Sequence, residues 1–310
     1  MFDVPILLIV FNRPQTTEKI FERIRQLKPQ KLFVAADAPR PHKDQDEFLC
    51  QKVRQLATNV DWDCEVKTLF QPQNLGCGKA PAQAISWFFS HVEEGIILED
   101  DCLADITFFR YCAEMLEKFR HDPRIFMVSG TNYVQNWHQD TQSYHFSFYG
   151  SCWAWATWRR AWQFFDYQIP LWANPQTAHL IAHQVAHQAY FELYLRPVYQ
   201  KTFQNPDAVS WWDYQWSFVR YLQSGLAVVP SQNLVKNIGF EADATHTNAA
   251  SPDPFVNLPT YSLGFPLQHN PCIVADRLYE QEIYKVLCPP VLPIWKRAIR
   301  KIKRILTNYK

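Results

Sequence analysis

The chain has 310 residues, 47% apolar and 20% charged, which excludes a disordered or fibrous protein and allows a sizeable core. The net charge of +1 is uneven: seven of the 31 basic residues lie in the last 17 positions with no acid, leaving 24 basic and 30 acidic side chains in the first 293. A mildly acidic body argues against nucleic acid as a partner.

The first apolar run, residues 5–10, reads as a buried strand. It is too short to cross a membrane, and it runs from Asp3 into Asn12-Arg13-Pro14, unlike a signal peptide. Thr16 or Thr17 is expected to cap a helix with Ile20, Phe21, Ile24 and Leu27 on one face, ending before Pro29. Residues 32–36 are the second strand, closed by Asp37; residues 46–60 are helical; residues 65–69 are the third strand. After Asn74-Leu75-Gly76-Cys77-Gly78 a helix runs to about residue 93. Residues 95–98 form the fourth strand, 106–119 a helix and 125–128 the fifth strand. This alternation predicts an α/β fold whose mostly parallel sheet is sandwiched by helices. In such sheets ligands bind beyond the carboxyl ends of the strands. Asn12, Arg13, Asp37 and the triplet Glu99-Asp100-Asp101 all stand at those ends.

The second half is less regular. Trp155, Trp158 and Trp162 follow helical spacing and read as core. Residues 177–200 and 211–223 are expected to be helical and 226–229 a short strand. Residues 250–292 read as an irregular, Pro-rich extension, and 293–310 as a basic amphipathic helix. In that last segment Trp295, Ile299, Ile302 and Leu306 share a face and six Lys or Arg fill the rest. It either lies peripherally on an anionic membrane or docks on the same domain. The eight cysteines include no C-x-x-C pair for zinc, so they read as reduced, packed thiols of a cytoplasmic protein. Aromatic residues reach 15%, which suits a sugar-binding or membrane-surface protein, or a ring-rich core.

The acidic triplet carries the clearest chemistry. Glu99 and Asp101 share a side of an extended stretch, and such carboxylates repel unless a cation compensates. Hard oxygen ligands suit Mn²⁺ or Mg²⁺, which can clamp a diphosphate; a solvated acidic loop is the plainer reading. Gly78-Lys79 before a helix resembles a phosphate loop, but Gln73 and Ala80 break the Walker pattern. Lys79 either meets a phosphate at this helix start or belongs to a simple turn. His179, His183 and His187 recur every four residues without an accompanying Glu base, so they read as an exposed or inter-helix stripe.

The run 5–14 ending in Asn12-Arg13-Pro14, then Asp37, Asn74-Leu75-Gly76, Leu98-Glu99-Asp100-Asp101 and Trp211-Trp212-Asp213 occur in order over residues 3–247. As a set they resemble a nucleotide-sugar glycosyltransferase of the GT-A fold, similar to bacterial relatives of the family 2 enzymes and to N-acetylglucosaminyltransferase I. The resemblance implies a catalytic domain over 1–249, with a nucleotide-binding half (1–130) and an acceptor half (131–249). It implies that Asn12 and Arg13 contact the nucleotide and that Asp37 reads its base, typically uracil. Asn74 and Lys79 would lie along the donor. Asp101 would ligate Mn²⁺ or Mg²⁺, with Glu99 and Asp100 on ribose or reaching the ion through water. Gly150 and Trp153 would belong to a donor-sugar loop, and His246 would be a late metal or diphosphate ligand. Asp213, flanked by Trp212, would be the general base of an inverting hexosyl- or N-acetylhexosaminyltransferase. Its plainer reading is a helix-capping acid. The expected donor is a UDP-linked sugar and the acceptor a glycan or a lipid-linked glycan. Two alternatives remain. A nucleotidyltransferase would show a Gly-rich loop after the first strand, and residues 11–15 have no Gly. A silent scaffold would have little use for an intact triplet and Asp213.

Overall fold

The computed structural model describes residues 1–239 and 258–288. Strand β1 (Ile6–Val10) is buried throughout, because it pairs in parallel with β2 (Lys31–Ala36) on one edge and β4 (Glu94–Glu99) on the other. Between β1 and β2 runs α1 (Pro14–Leu27), which buries Ile20, Phe21 and Ile24. It starts on a proline, whose missing N–H is an orphan at that position anyway. Thr16 and Thr17 do not cap this helix. Arg13 holds the cap position, and both hydroxyls sit inside the first turn and donate to its carbonyl. Helix α2 (Asp44–Thr58) leads to β3 (Glu65–Phe70), parallel to β2, and α3 (Gly76–His91) leads to β4. Then come a short β5 (Cys102–Ala104), α4 (Ile106–Phe119) and β6 (Ile125–Ser129). Asp105 caps α4 by accepting from the Thr107 N–H.

Beyond β6 the sheet is mixed. Strand β7 (Tyr144–Ser147) forms one edge, and β8 (Trp155–Trp158) lies antiparallel between β4 and β6. The helix expected from Trp155, Trp158 and Trp162 is therefore mostly a strand, and only Arg159–Trp162, α5, makes one helical turn. The strand wins because β4 and β6 both have an edge to satisfy, and pairing overrides local spacing. Trp155 and Trp158 then face opposite sides of the sheet, each in a different core layer.

Residues 177–200 are not one helix. Helix α6 (Pro175–Gln184) stops at Val185, then α7 (Gln188–Tyr190) passes through a wide turn at Phe191–Leu195 into α8 (Arg196–Gln204). The histidine stripe is split accordingly: His179 and His183 touch at 3.1 Å, while His187 stacks on Tyr284. Helix α9 (Asp213–Leu222) precedes β9 (Leu226–Pro230), and β10 (Val235–Asn237) pairs with β5. The extension is not wholly irregular. Within its described part α10 (Arg277–Leu287) is capped by Asp276 and buries Glu280, which accepts from Ser147, the Phe148 N–H and Arg277.

The eight-stranded sheet has the order β3-β2-β1-β4-β8-β6-β9-β7, and four of its seven pairings are parallel. Residues alternate between its faces. Ile6, Leu8 and Val10 pack against α1, α2 and α4, while Leu7 and Ile9 pack with α3 and α9. Among the described residues, which include all eight cysteines, no disulfide forms, and no helix is long and apolar enough to cross a membrane.

Candidate active site

Two adjoining cavities open at the carboxyl ends of β1, β2 and β4. The first, about 350 Å³, has an apolar floor that includes Ile9, Ala35, Leu69 and Pro81, and a rim of Arg13, Asp37, Arg40 and Asn74. The second, about 400 Å³, is walled by aromatic side chains and by one face of α9. Glu99, Asp101 and Cys77 line both, so the acidic stretch stands at their junction.

The reason lies in β4. Its apolar residues hold it beside β1, and the chain leaves the sheet at Glu99. Glu99 and Asp101 then face the junction, as their spacing predicts. Asp100 is held inward, where its Oδ2 accepts from the Phe11 N–H at 3.0 Å. Arg13 donates to Asp101 Oδ2 at 2.9 Å and lies 3.8 Å from Asp100. Burial, then repulsion from the neighbouring carboxylates, raises Glu99 well above the carboxylate range and pushes Asp100 up to about 7. Burial opposes the charge on Arg13, but Asp100, Asp101 and Glu99 outweigh it and hold its pKa above the ordinary value. Three acids against one guanidinium leave room for further positive charge. Gly239 closes over this pair, and a Cβ there would strike Asp101 Oδ2 and come within 2.9 Å of Arg13 Nη1.

Among the described residues no three His, Cys, Asp or Glu side chains converge as a metal cage, and His246 lies outside those residues. The donor set present is two carboxylates, Glu99 and Asp101, at a junction open to ligand. That fits a hard cation whose remaining positions are filled by water and phosphate oxygens.

Asp37 lines the first cavity, but its carboxylate is occupied. It accepts the N–H groups of Ala38, Leu75 and Gly76 and the Asn74 amide, so it clamps the turn that starts α3. Burial raises its pKa, against the pull of those N–H groups. Asn74 also donates to the Ala38 carbonyl at 2.6 Å. Two expected contacts point elsewhere. Asn12 donates to Asp46, which Arg40 grips through two nitrogens, and is not among the residues that line the cavity. Lys79 pairs with Asp207 at 2.7 Å over a third cavity away from the acidic junction. The helical rise carries Lys79 past the turn that Asp37 organises.

Gly150, Trp153, Trp212 and Asp213 all line the second cavity. Gly150 is required by packing: a Cβ there would lie 2.8 Å from both Ala227 Cβ and Met127 Sδ. Trp212 stacks on Trp155 at 5.8 Å, which fixes the start of α9. Asp213 is the first residue of that helix, and its own N–H and that of Tyr214 hold its carboxylate. Neighbouring protein atoms partly desolvate it and raise its pKa against those bonds, although the residue stays exposed, and its charge reaches Glu99 across the cavity. Further along α9, Trp216, Ser217, Arg220 and Tyr221 face the same space. The sequence gives no separate signal for them, because a face at i, i+3, i+4, i+7 and i+8 looks like core.

No protein-family model matches the chain, and no curated protein matches it. Solved structures that align with it include mouse xyloside xylosyltransferase 1 in its apo form, at 13% identity, over 73% of this chain and 84% of that one, with a TM-score of 0.36. HddC from Yersinia pseudotuberculosis aligns at 9% identity over 50% of this chain and 77% of that one, TM-score 0.30. A 4-diphosphocytidyl-2C-methyl-D-erythritol synthase from Anaerococcus prevotii aligns at 8% identity over 63% and 85%, TM-score 0.31. At these values the likeness assigns the chain to no family.

Proposed function

We propose that the protein is an inverting glycosyltransferase that moves a sugar from a nucleotide-diphosphate sugar, UDP-linked in our reading, to a glycan or lipid-linked acceptor. The observation that carries this is the junction: Glu99 and Asp101 stand where two cavities meet, and Asp213 lines the second. The first cavity suits a nucleotide, with an apolar floor for a base and Arg13 for phosphate. The second suits sugars, whose apolar faces pack on aromatic rings. Asp213 takes the proton from the acceptor hydroxyl as it attacks the anomeric carbon; a raised pKa makes it a stronger base. The diphosphate leaves on the opposite side, so one displacement inverts the configuration without a protein nucleophile. Arg13 compensates the charge that develops there. Glu99 and Asp101 would hold Mn²⁺ or Mg²⁺, which supplies neutralisation of the departing diphosphate. Peripheral contact of 293–310, which lies outside the described residues, with an anionic membrane belongs to the same reading, on the strength of its basic amphipathic sequence.

The test is a panel of nucleotide sugars with and without Mn²⁺, read first by melting temperature and then by nucleotide release. One UDP-sugar is expected to raise the melting temperature only with metal present, and turnover is expected to fall at least about a hundredfold in Asp101→Asn and in Asp213→Asn. Full activity in both variants would refute the mechanism.

A further inference from the structure

The wall of the second cavity carries three buried residues with polar atoms that nothing among the described residues satisfies. Arg220 is 3% exposed, yet its Nε and Nη1 have no hydrogen-bond partner. Trp216 Nε1, one turn earlier on α9, is likewise unpartnered, as is the hydroxyl of Tyr149. All three residues line the cavity. A guanidinium and an indole can only donate, and a phenol can donate. Leaving such donors buried and unmet is costly, most of all for a charged one. Burial lowers the pKa of Arg220, and among carboxylates only Glu280 raises it appreciably. Glu280 itself is taken by Arg277, Ser147 and the Phe148 N–H. The α9 side of a cavity whose junction is acidic therefore carries a buried cation and two further buried donors without a partner among the described residues.

We infer that Arg220, with Trp216 and Tyr149, seats an anionic group of the acceptor, a carboxylate or a phosphate monoester. This rests on reading the second cavity as the acceptor chamber. Position on α9 supports the acceptor over the transferred sugar. Arg220 follows Asp213 by seven residues, on the same face and about 10 Å along the axis. The transferred sugar has to touch the junction and Asp213 together. An anion on Arg220 lies about one to two sugar rings beyond the attacking hydroxyl. Guanidinium offers paired N–H donors to either oxyanion, so both sources share the same chemistry.

The test titrates the full chain with glucose, glucose 6-phosphate and glucuronate and follows binding by calorimetry. At least one anionic sugar is expected to bind tenfold or more tightly than glucose. Preference for glucose 6-phosphate identifies phosphate, and preference for glucuronate identifies carboxylate. The preference is expected to fall at least tenfold in Arg220→Gln and partly to survive in Arg220→Lys. Equal affinity for the three sugars, no binding of either anion, or a preference unchanged in Arg220→Gln would overturn the assignment. If Arg220→Gln does not fold, Tyr149→Phe removes only an unpartnered hydroxyl and is expected to cut the preference threefold or more; no change there would also overturn it. UDP-glucose and UDP-glucuronate are titrated into the wild-type chain alongside. Equal binding of both agrees with an anion on the acceptor, and an Arg220-dependent preference for UDP-glucuronate would place it on the donor instead. Failure of both UDP-sugars sinks the donor reading while the free-sugar data still judge Arg220.

Discussion

In the proposed reaction, Asp213 and Gly239 are the single residues whose surroundings bear most directly on the chemistry. Asp213 has a raised pKa because neighbouring protein atoms partly desolvate its carboxylate, although the residue stays exposed, and its own N–H and that of Tyr214 oppose the shift. A base must be deprotonated to act. Activity is therefore expected to climb with pH along a limb above the ordinary Asp value of 3.8. Asp213→Asn is expected to lower kcat by roughly 10²–10⁴-fold while the donor dissociation constant stays within about twofold; a pH–rate profile and calorimetric donor titration check both. Gly239 is needed for space, since any Cβ would press on Asp101 and Arg13. Gly239→Ala should break their 2.9 Å pair and cut kcat/KM by about tenfold, a loss of roughly 1.4 kcal/mol in transition-state stabilisation. The far-ultraviolet circular dichroism spectrum should not change. Of the site, the acids were legible in the sequence because their place after an apolar strand fixes where they point. Asn12 and Lys79 also sit near strand or helix ends, but a neighbouring charge, Asp46 or Asp207, pairs with each, which the sequence does not announce. Arg220 was illegible, because the helix face that carries it has the spacing of ordinary core until the cavity is seen.

At the scale of elements, β7 and β8 carry the sheet's vulnerable points. His145 on β7 is fully buried beside Tyr279, with neither ring nitrogen bonded. Burial drops its pKa from 6.5 to about 3. The unfolded chain therefore takes up the proton first, so the stability is complete above pH 6.5 and is lost as the pH falls towards 3. The loss from this group is about 1.4 kcal/mol per pH unit across that window. His145→Leu should flatten that part of the curve, which urea unfolding at pH 4, 5 and 7 measures. On β8, Trp155 packs against Trp212 and Trp216 and ties the sheet to α9. Trp155→Ala is expected to cost about 3–5 kcal/mol in the same unfolding assay. Apart from the three-residue β5, the strands and helices up to residue 129 were legible because most of these strands are short apolar runs between polar turns. β8 was not, since Trp spacing of three and four suits a helix, and only the two open edges beside it favour a strand. α10 follows a Pro-rich stretch that hid its start at Asp276.

Across the whole molecule, the α/β class followed from the alternation of elements, but the order of the sheet did not. Nothing local announces that β9 lies between β6 and β7. That placement has a consequence for how the protein is made. As the chain leaves the ribosome, the block β3-β2-β1-β4 can close within the first 99 residues, and β8 finds both its partners already present. β7 cannot: its one ladder in the sheet is with β9, which begins 79 residues after β7 ends. At synthesis rates of roughly 5–20 residues per second, this wait lasts on the order of 4–16 seconds. Throughout it, the edge of β6 and the apolar side chains of β7 stay uncovered, which invites pairing with other nascent chains. A chain stopped at residue 224 should therefore be captured by chaperones or recovered as aggregate, whereas release past residue 230 should free it, and pulse-labelled translation separates the two.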